Sequence, residues 1–191
     1  MDSKLKIHLV GIALIALVLI VGKLVSDPSK LTLTYVSSFG LLAFLSAIFV
    51  LSIPILSKVR KGGFTAALAE NRKLIALYTL TFALIHVSLV LNFFFKWDLA
   101  KAAENPYRSL GGLALLVLAA VVLFSINRLS KALGKNWERI YYLLYAVLAL
   151  IIVHSFKIGA IFMKSMAAKV AVGVLVALVV LGAILYRRIG K

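Results

Sequence analysis

Six long apolar runs separated by short polar connections make up most of the chain: residues 7–25, 31–56, 74–95, 110–126, 140–162 and 170–186. Each is long enough to cross ~30 Å of hydrocarbon as a helix. None shows the alternation of a barrel strand, and in lipid only helices and closed barrels satisfy every backbone group. The predicted fold is all-α, an integral membrane bundle of six transmembrane helices forming one domain over residues 1–191. Pro28 and Pro106 fall in or beside connections, and Pro54 is expected to kink or end the second helix. The sequence shows no internal repeat and no low-complexity segment.

Composition supports this pattern and removes other classes. Hydrophobic residues are 63% of the chain, charged residues 15%, and the mean hydropathy is +1.09. A soluble domain is roughly half apolar and a quarter charged, so a soluble enzyme and a disordered chain are excluded. There is no cysteine, which removes disulfides, iron–sulfur ligation and thiol nucleophiles. The net charge of +16 is spread through the connections instead of forming one continuous patch, so it signals topology and contact with anionic membrane lipid, not nucleic acid. Lys4, Lys6, Lys58, Arg60, Lys61, Arg72, Lys73, Arg128, Lys131, Lys135, Arg139, Arg187, Arg188 and Lys191 fall on one side, and eight basic residues fall on the other. The positive-inside rule then places both termini in the cytoplasm and the chain in the cell membrane. Lys4 and Lys6 ahead of the first run resemble a signal peptide, but the run is long and residues 22–26 make a poor cleavage site, so we expect a retained helix.

Titratable groups at membrane depth are functional candidates by default. His86 lies 12 residues into the third run and His154 lies 14 residues into the fifth, about 18 Å and 21 Å along helices of the same direction. Two imidazoles at one depth on different helices suit the two axial positions of a haem standing between them, a site for electron transfer because the iron has no open position. The bland alternative is a pair of histidines bonded to neighbouring helices. Zinc would need two further ligands. Lys157, one turn beyond His154, and Tyr107 and Arg108 at the same membrane face are candidates to meet haem propionates, although Lys157 is equally placed to snorkel to the interface. Gly111-Gly112 could admit a close helix or could be routine small-residue packing. No Asp or Glu lies inside a run, which argues against a pump that works through buried carboxylates.

Two segments resemble a known family. Arg72-Lys73-Leu74-Ile75-Ala76-Leu77-Tyr78, continuing to Phe82-Ala83-Leu84-Ile85-His86, is similar to the third span of the ferric-reductase-like transmembrane domain. Leu133-Gly134-Lys135-Asn136-Trp137-Glu138-Arg139-Ile140-Tyr141-Tyr142-Leu143-Leu144-Tyr145, leading to His154, resembles the fifth span of its MsrQ (YedZ) branch. The resemblance covers residues 72–162. It implies a six-helix b-type cytochrome with His86 and His154 as axial ligands. Electrons would come from quinol or a flavin reductase and pass to a periplasmic molybdopterin enzyme that repairs oxidised methionine. Tyr141 stands where relatives commonly carry a further histidine for an inner haem or cofactor, and His8 is a distant substitute. One haem b is therefore expected. A quinone is a further possible ligand, with Arg72, Trp137, Arg139 and Tyr141 as its candidate polar contacts, and FMN ranks below it. Any flavoprotein module is expected on another chain, and the partner is expected to be an extracytoplasmic redox protein. The competing functions are a haem-free transporter and a structural subunit of a membrane complex.

Overall fold

The computed structural model describes residues 2–125 and 137–189, with backbone alone at 137–138 and 186–189. Among the described residues there are helices and turns, with no strand. The helices are α1 (Ser3–Val25), α2 (Leu31–Val59), α3 (Gly63–Glu70), α4 (Arg72–Val90), α5 (Leu99–Ala103), α6 (Pro106–Phe124), α7 (Trp137–Ile140), α8 (Leu143–Ile158) and α9 (Met166–Ile189). Five helical stretches among the described residues are long and apolar enough to cross a membrane: Ser3–Val25, Pro28–Val59, Arg72–Phe95, Pro106–Phe124 and Met166–Leu185. Helix α8 has 16 residues, about 24 Å of rise, and falls short of a full span by itself. The expected run 140–162 is thus interrupted at both ends, by a turn at Tyr141–Tyr142 and by the end of the helix at Gly159.

Local chemistry sets the helix boundaries. The Asp2 carboxylate accepts from the Lys4 amide at the start of α1, and the Asn105 side chain accepts from the Tyr107 amide at the start of α6, with Pro106 in the first turn. The third run does not stay α-helical to residue 95. Helix α4 ends at Val90 and is followed by a π-turn over Leu91–Phe95, then by Lys96 and Trp97 in left-handed conformation (φ 52° and 65°). The Trp97 amide reaches back to the Leu91 carbonyl at 3.0 Å, which closes the helix end.

Helix α2 runs through Pro54 without ending there. Proline has no N–H, so the carbonyl four residues earlier, that of Val50, loses its helical donor. The Arg72 guanidinium supplies one: its Nε donates to the Val50 oxygen at 3.1 Å. The same guanidinium carbon lies 4.0 Å from the centre of the Tyr141 ring. Arg72 therefore braces α2, α4 and the segment leading into α8 at one point.

The two most extensive helix packings are α2 against α4 and α6 against α8. These two hairpins meet through α4 and α6, and α9 leans on α2. The main core lies where the hairpins meet and includes Phe44, Leu51, Ile53, Leu118, Val121, Leu144, Val147 and Leu148. A second, smaller cluster of Phe39, Ala43 and Phe82 receives Leu14, Ile15 and Val18 from α1. Helix α1 seats itself through glycines. A Cβ on Gly11 would collide with the Tyr78 ring, and one on Gly22 would stand 2.5 Å from the Tyr35 ring. Much of α1 and α9 is exposed apolar surface, including Ile12, Leu17, Ile20, Leu178 and Leu181. In a multi-helix apolar chain that surface faces lipid. Gly11→Leu is expected to push α1 off Tyr78 and cost about 1–3 kcal/mol by overpacking. Thermal unfolding in detergent checks this, with Gly62→Ala, where an added Cβ meets nothing, as the neutral control.

Candidate functional site: two histidines between two hairpins

His86 on α4 and His154 on α8 come together where the hairpins meet. Their ring centres are 6.5 Å apart, with the planes at 89°. Each ring is tied to the other helix of its own hairpin. His86 Nδ1 is 2.8 Å from the Val36 carbonyl on α2, and His154 Nδ1 is 2.8 Å from the Tyr107 carbonyl on α6. A carbonyl oxygen only accepts, so in both rings Nδ1 carries the proton and donates. Nε2 of each imidazole keeps its lone pair for a ligand or metal.

A glycine makes each contact possible. Val36 and Gly40 are four residues apart on α2, as are Tyr107 and Gly111 on α6. A Cβ on Gly40 would stand 3.0 Å from His86 Nδ1, and one on Gly111 would stand 2.7 Å from His154 Nδ1. Without those methyls, the imidazole lies along the helix surface and reaches a carbonyl that has a second lone pair to offer. The two hairpins are thus geometric counterparts, although their sequences show no repeat.

The other sequence candidates separate into three groups. Lys157 lies near the histidine pair, with Nζ 5.5 Å from the Tyr107 ring centre, while Arg108 stacks over Phe95 at 4.8 Å. Tyr107 meets the site through its backbone carbonyl, a role the side chain alone does not suggest. Of the four residues expected to contact quinone, Arg72 and Tyr141 pack on each other. The Tyr141 side chain is 3% exposed, and its hydroxyl accepts from Ser125 at 3.2 Å, so this pair is tied into protein packing. Arg139 is exposed, and the Trp137 side chain lies outside the described residues. His8 is remote from this pairing and bonds the Tyr78 hydroxyl at 2.9 Å. Sequence reasoning missed Gly40 and the carbonyls of Val36 and Tyr107. The available signal was that Gly40 and Gly111 precede a membrane-depth histidine by 46 and 43 residues, a similar helix–turn–helix distance.

Among the described residues no group of three or more His, Cys, Asp or Glu side chains gathers to hold a metal ion, so a tetrahedral zinc site lacks its ligands. Two imidazoles on a single iron fit the donor set better.

The family model described as "Ferric reductase like transmembrane component" matches residues 37–152. The chain belongs to this family. The match takes in Gly40, His86 and Gly111 and stops two residues before His154. As a ferric-reductase-like transmembrane component with five long apolar helices among the described residues, it is a multi-pass membrane protein. Over 93 residues it is 28% identical to the protein-methionine-sulfoxide reductase heme-binding subunit MsrQ of Xanthomonas campestris pv. campestris. That alignment takes in 47% of this chain and 43% of the relative, so the chain spans less than half the length of the curated relative it matches.

Proposed function

We propose that this protein is a membrane b-type cytochrome that carries electrons through one haem held by His86 and His154. The observation that carries this reading is the pair of rings 6.5 Å apart, each with Nδ1 engaged by a carbonyl and Nε2 left over. Support also comes from the family and from the name of the Xanthomonas relative, a heme-binding subunit. Bound haem supplies a one-electron couple that needs no open coordination position. The chain's own residues do the rest. Val36 and Tyr107 fix the imidazole tautomers, the apolar core excludes water, and Lys157 beside Tyr107 offers a cation at one edge for a propionate. Arg108 and the Tyr107 phenol are weaker propionate candidates, because Arg108 already stacks on Phe95.

In this reading a quinone in the bilayer exchanges electrons with the site, and an extracytoplasmic protein of the methionine-sulfoxide-reductase kind stands on the other side. The sequence has one further histidine, His8, which bonds Tyr78, and the reading is therefore one haem, with quinone preferred to FMN. Helix α8 with its flanking turns serves as the sixth span, and both termini face the cytoplasm.

The purified protein is expected to be red and to give a low-spin b-type spectrum on reduction, with one haem per chain by pyridine haemochromogen. A colourless protein from porphyrin-replete cells would return the function to a haem-free transporter or structural subunit. Reporter fusions at residues 2 and 189 should both read cytoplasmic, and an external reading at either end overturns the orientation.

A further inference from the structure

We infer that Gly40 and Gly111, each acting with the carbonyl four residues before it, are paired positioning elements that hold the two axial imidazoles with their planes at right angles. The inference rests on the haem reading and goes beyond it, because ligation alone does not fix the rotation of a ring about its metal bond.

The argument starts from helix geometry. In an α-helix the carbonyl of residue i accepts from the amide of residue i+4, and the Cβ of residue i+4 leans back over that same turn. A second donor approaching the carbonyl from outside meets that Cβ. Gly40 and Gly111 remove it at the two carbonyls that the histidines use. Each ring is then held at two points, by the 2.8 Å bond from Nδ1 and by contact with the bare helix surface. With both rings so held, their planes stand at 89° to each other. Gly112, next to Gly111, has nothing within 4 Å of an added Cβ, so the requirement belongs to one register and not to small residues in general.

The plane angle has its own electronic signature. In low-spin ferric haem, parallel imidazole planes separate two iron d orbitals and give a rhombic spectrum. Perpendicular planes keep those orbitals nearly degenerate and give a highly anisotropic signal, with the largest g value at low field. Electron paramagnetic resonance of the oxidised wild-type protein is expected to show the anisotropic form. Gly111→Ala, whose Cβ would collide at 2.7 Å, should convert it to the rhombic form and weaken haem retention about 10–100-fold, as losses of ligand-orienting partners do. Gly40→Ala, at 3.0 Å, should shift the signal less, and Gly112→Ala should leave spectrum and haem content unchanged.

A rhombic wild-type spectrum overturns the inference, and that measurement stands even where Gly111→Ala fails to fold. It is equally overturned when Gly111→Ala and Gly112→Ala give the same anisotropic signal. A wild-type protein without haem instead defeats the haem reading, so the two failures are told apart.

Discussion

His86→Ala and His154→Ala are each expected to reduce the haem content of the purified protein to background, with imidazole added during purification restoring part of it. Both rings sit between the hairpins, and each is the only histidine its hairpin brings there among the described residues. Alanine removes one of two axial nitrogens and leaves an apolar hollow, so any residual haem loses its low-spin spectrum. Small-molecule rescue separates a missing ligand from a misfolded helix. His8→Ala is the control: it bonds Tyr78 on the face of α4 that α1 covers, away from the histidine pair, and its loss should leave haem content unchanged. A full haem complement with an unchanged spectrum in either principal variant would falsify the axial assignment.

The second large effect concerns stability. Arg72→Met keeps an apolar stem but leaves the Val50 carbonyl without a donor in a region of low dielectric. A hydrogen bond to a charged group contributes about 1.5–3 kcal/mol, and a loss of that size is expected in detergent unfolding. Pro54→Ala restores the missing helical N–H. In that background the cost of Arg72→Met should fall by about 1–2 kcal/mol, which a double-mutant cycle reads directly. Strictly additive costs would mean that the Val50 bond is not what makes Arg72 stabilising.

The histidine pair was legible because depth follows from counting residues along a helix of fixed rise. Estimates of about 18 Å and 21 Å put both rings at nearly one level, and the structure brings them to 6.5 Å of each other. The apolar runs were legible for the same reason, since length and composition alone define them. Boundaries were less so. The fifth run is apolar well past Ile158, but apolarity does not keep the backbone helical, and α8 stops at Gly159. The π-turn at Leu91–Phe95 left no mark in hydropathy because its residues are as apolar as the helix before it.

Arg72 illustrates the harder limit. Its position at a span edge reads as a topology signal or as a quinone contact. Its work depends on a proline 18 residues earlier and on a carbonyl four residues before that proline, neither of which marks Arg72 locally. Gly40 is similar: among glycines in apolar helices, only the partner across the hairpin distinguishes it.

The gap that Pro54 opens in α2 also bears on biosynthesis. As α2 leaves the ribosome its Val50 oxygen has no donor, and the group that will serve it is still 22 residues away along the chain. A helix with such a defect partitions poorly into acyl chains by itself. Helix α2 is therefore expected to wait beside the translocon until the start of α4 emerges, so that the first hairpin enters the bilayer as a unit. A nascent chain arrested just short of Arg72 should remain crosslinkable to the insertion machinery.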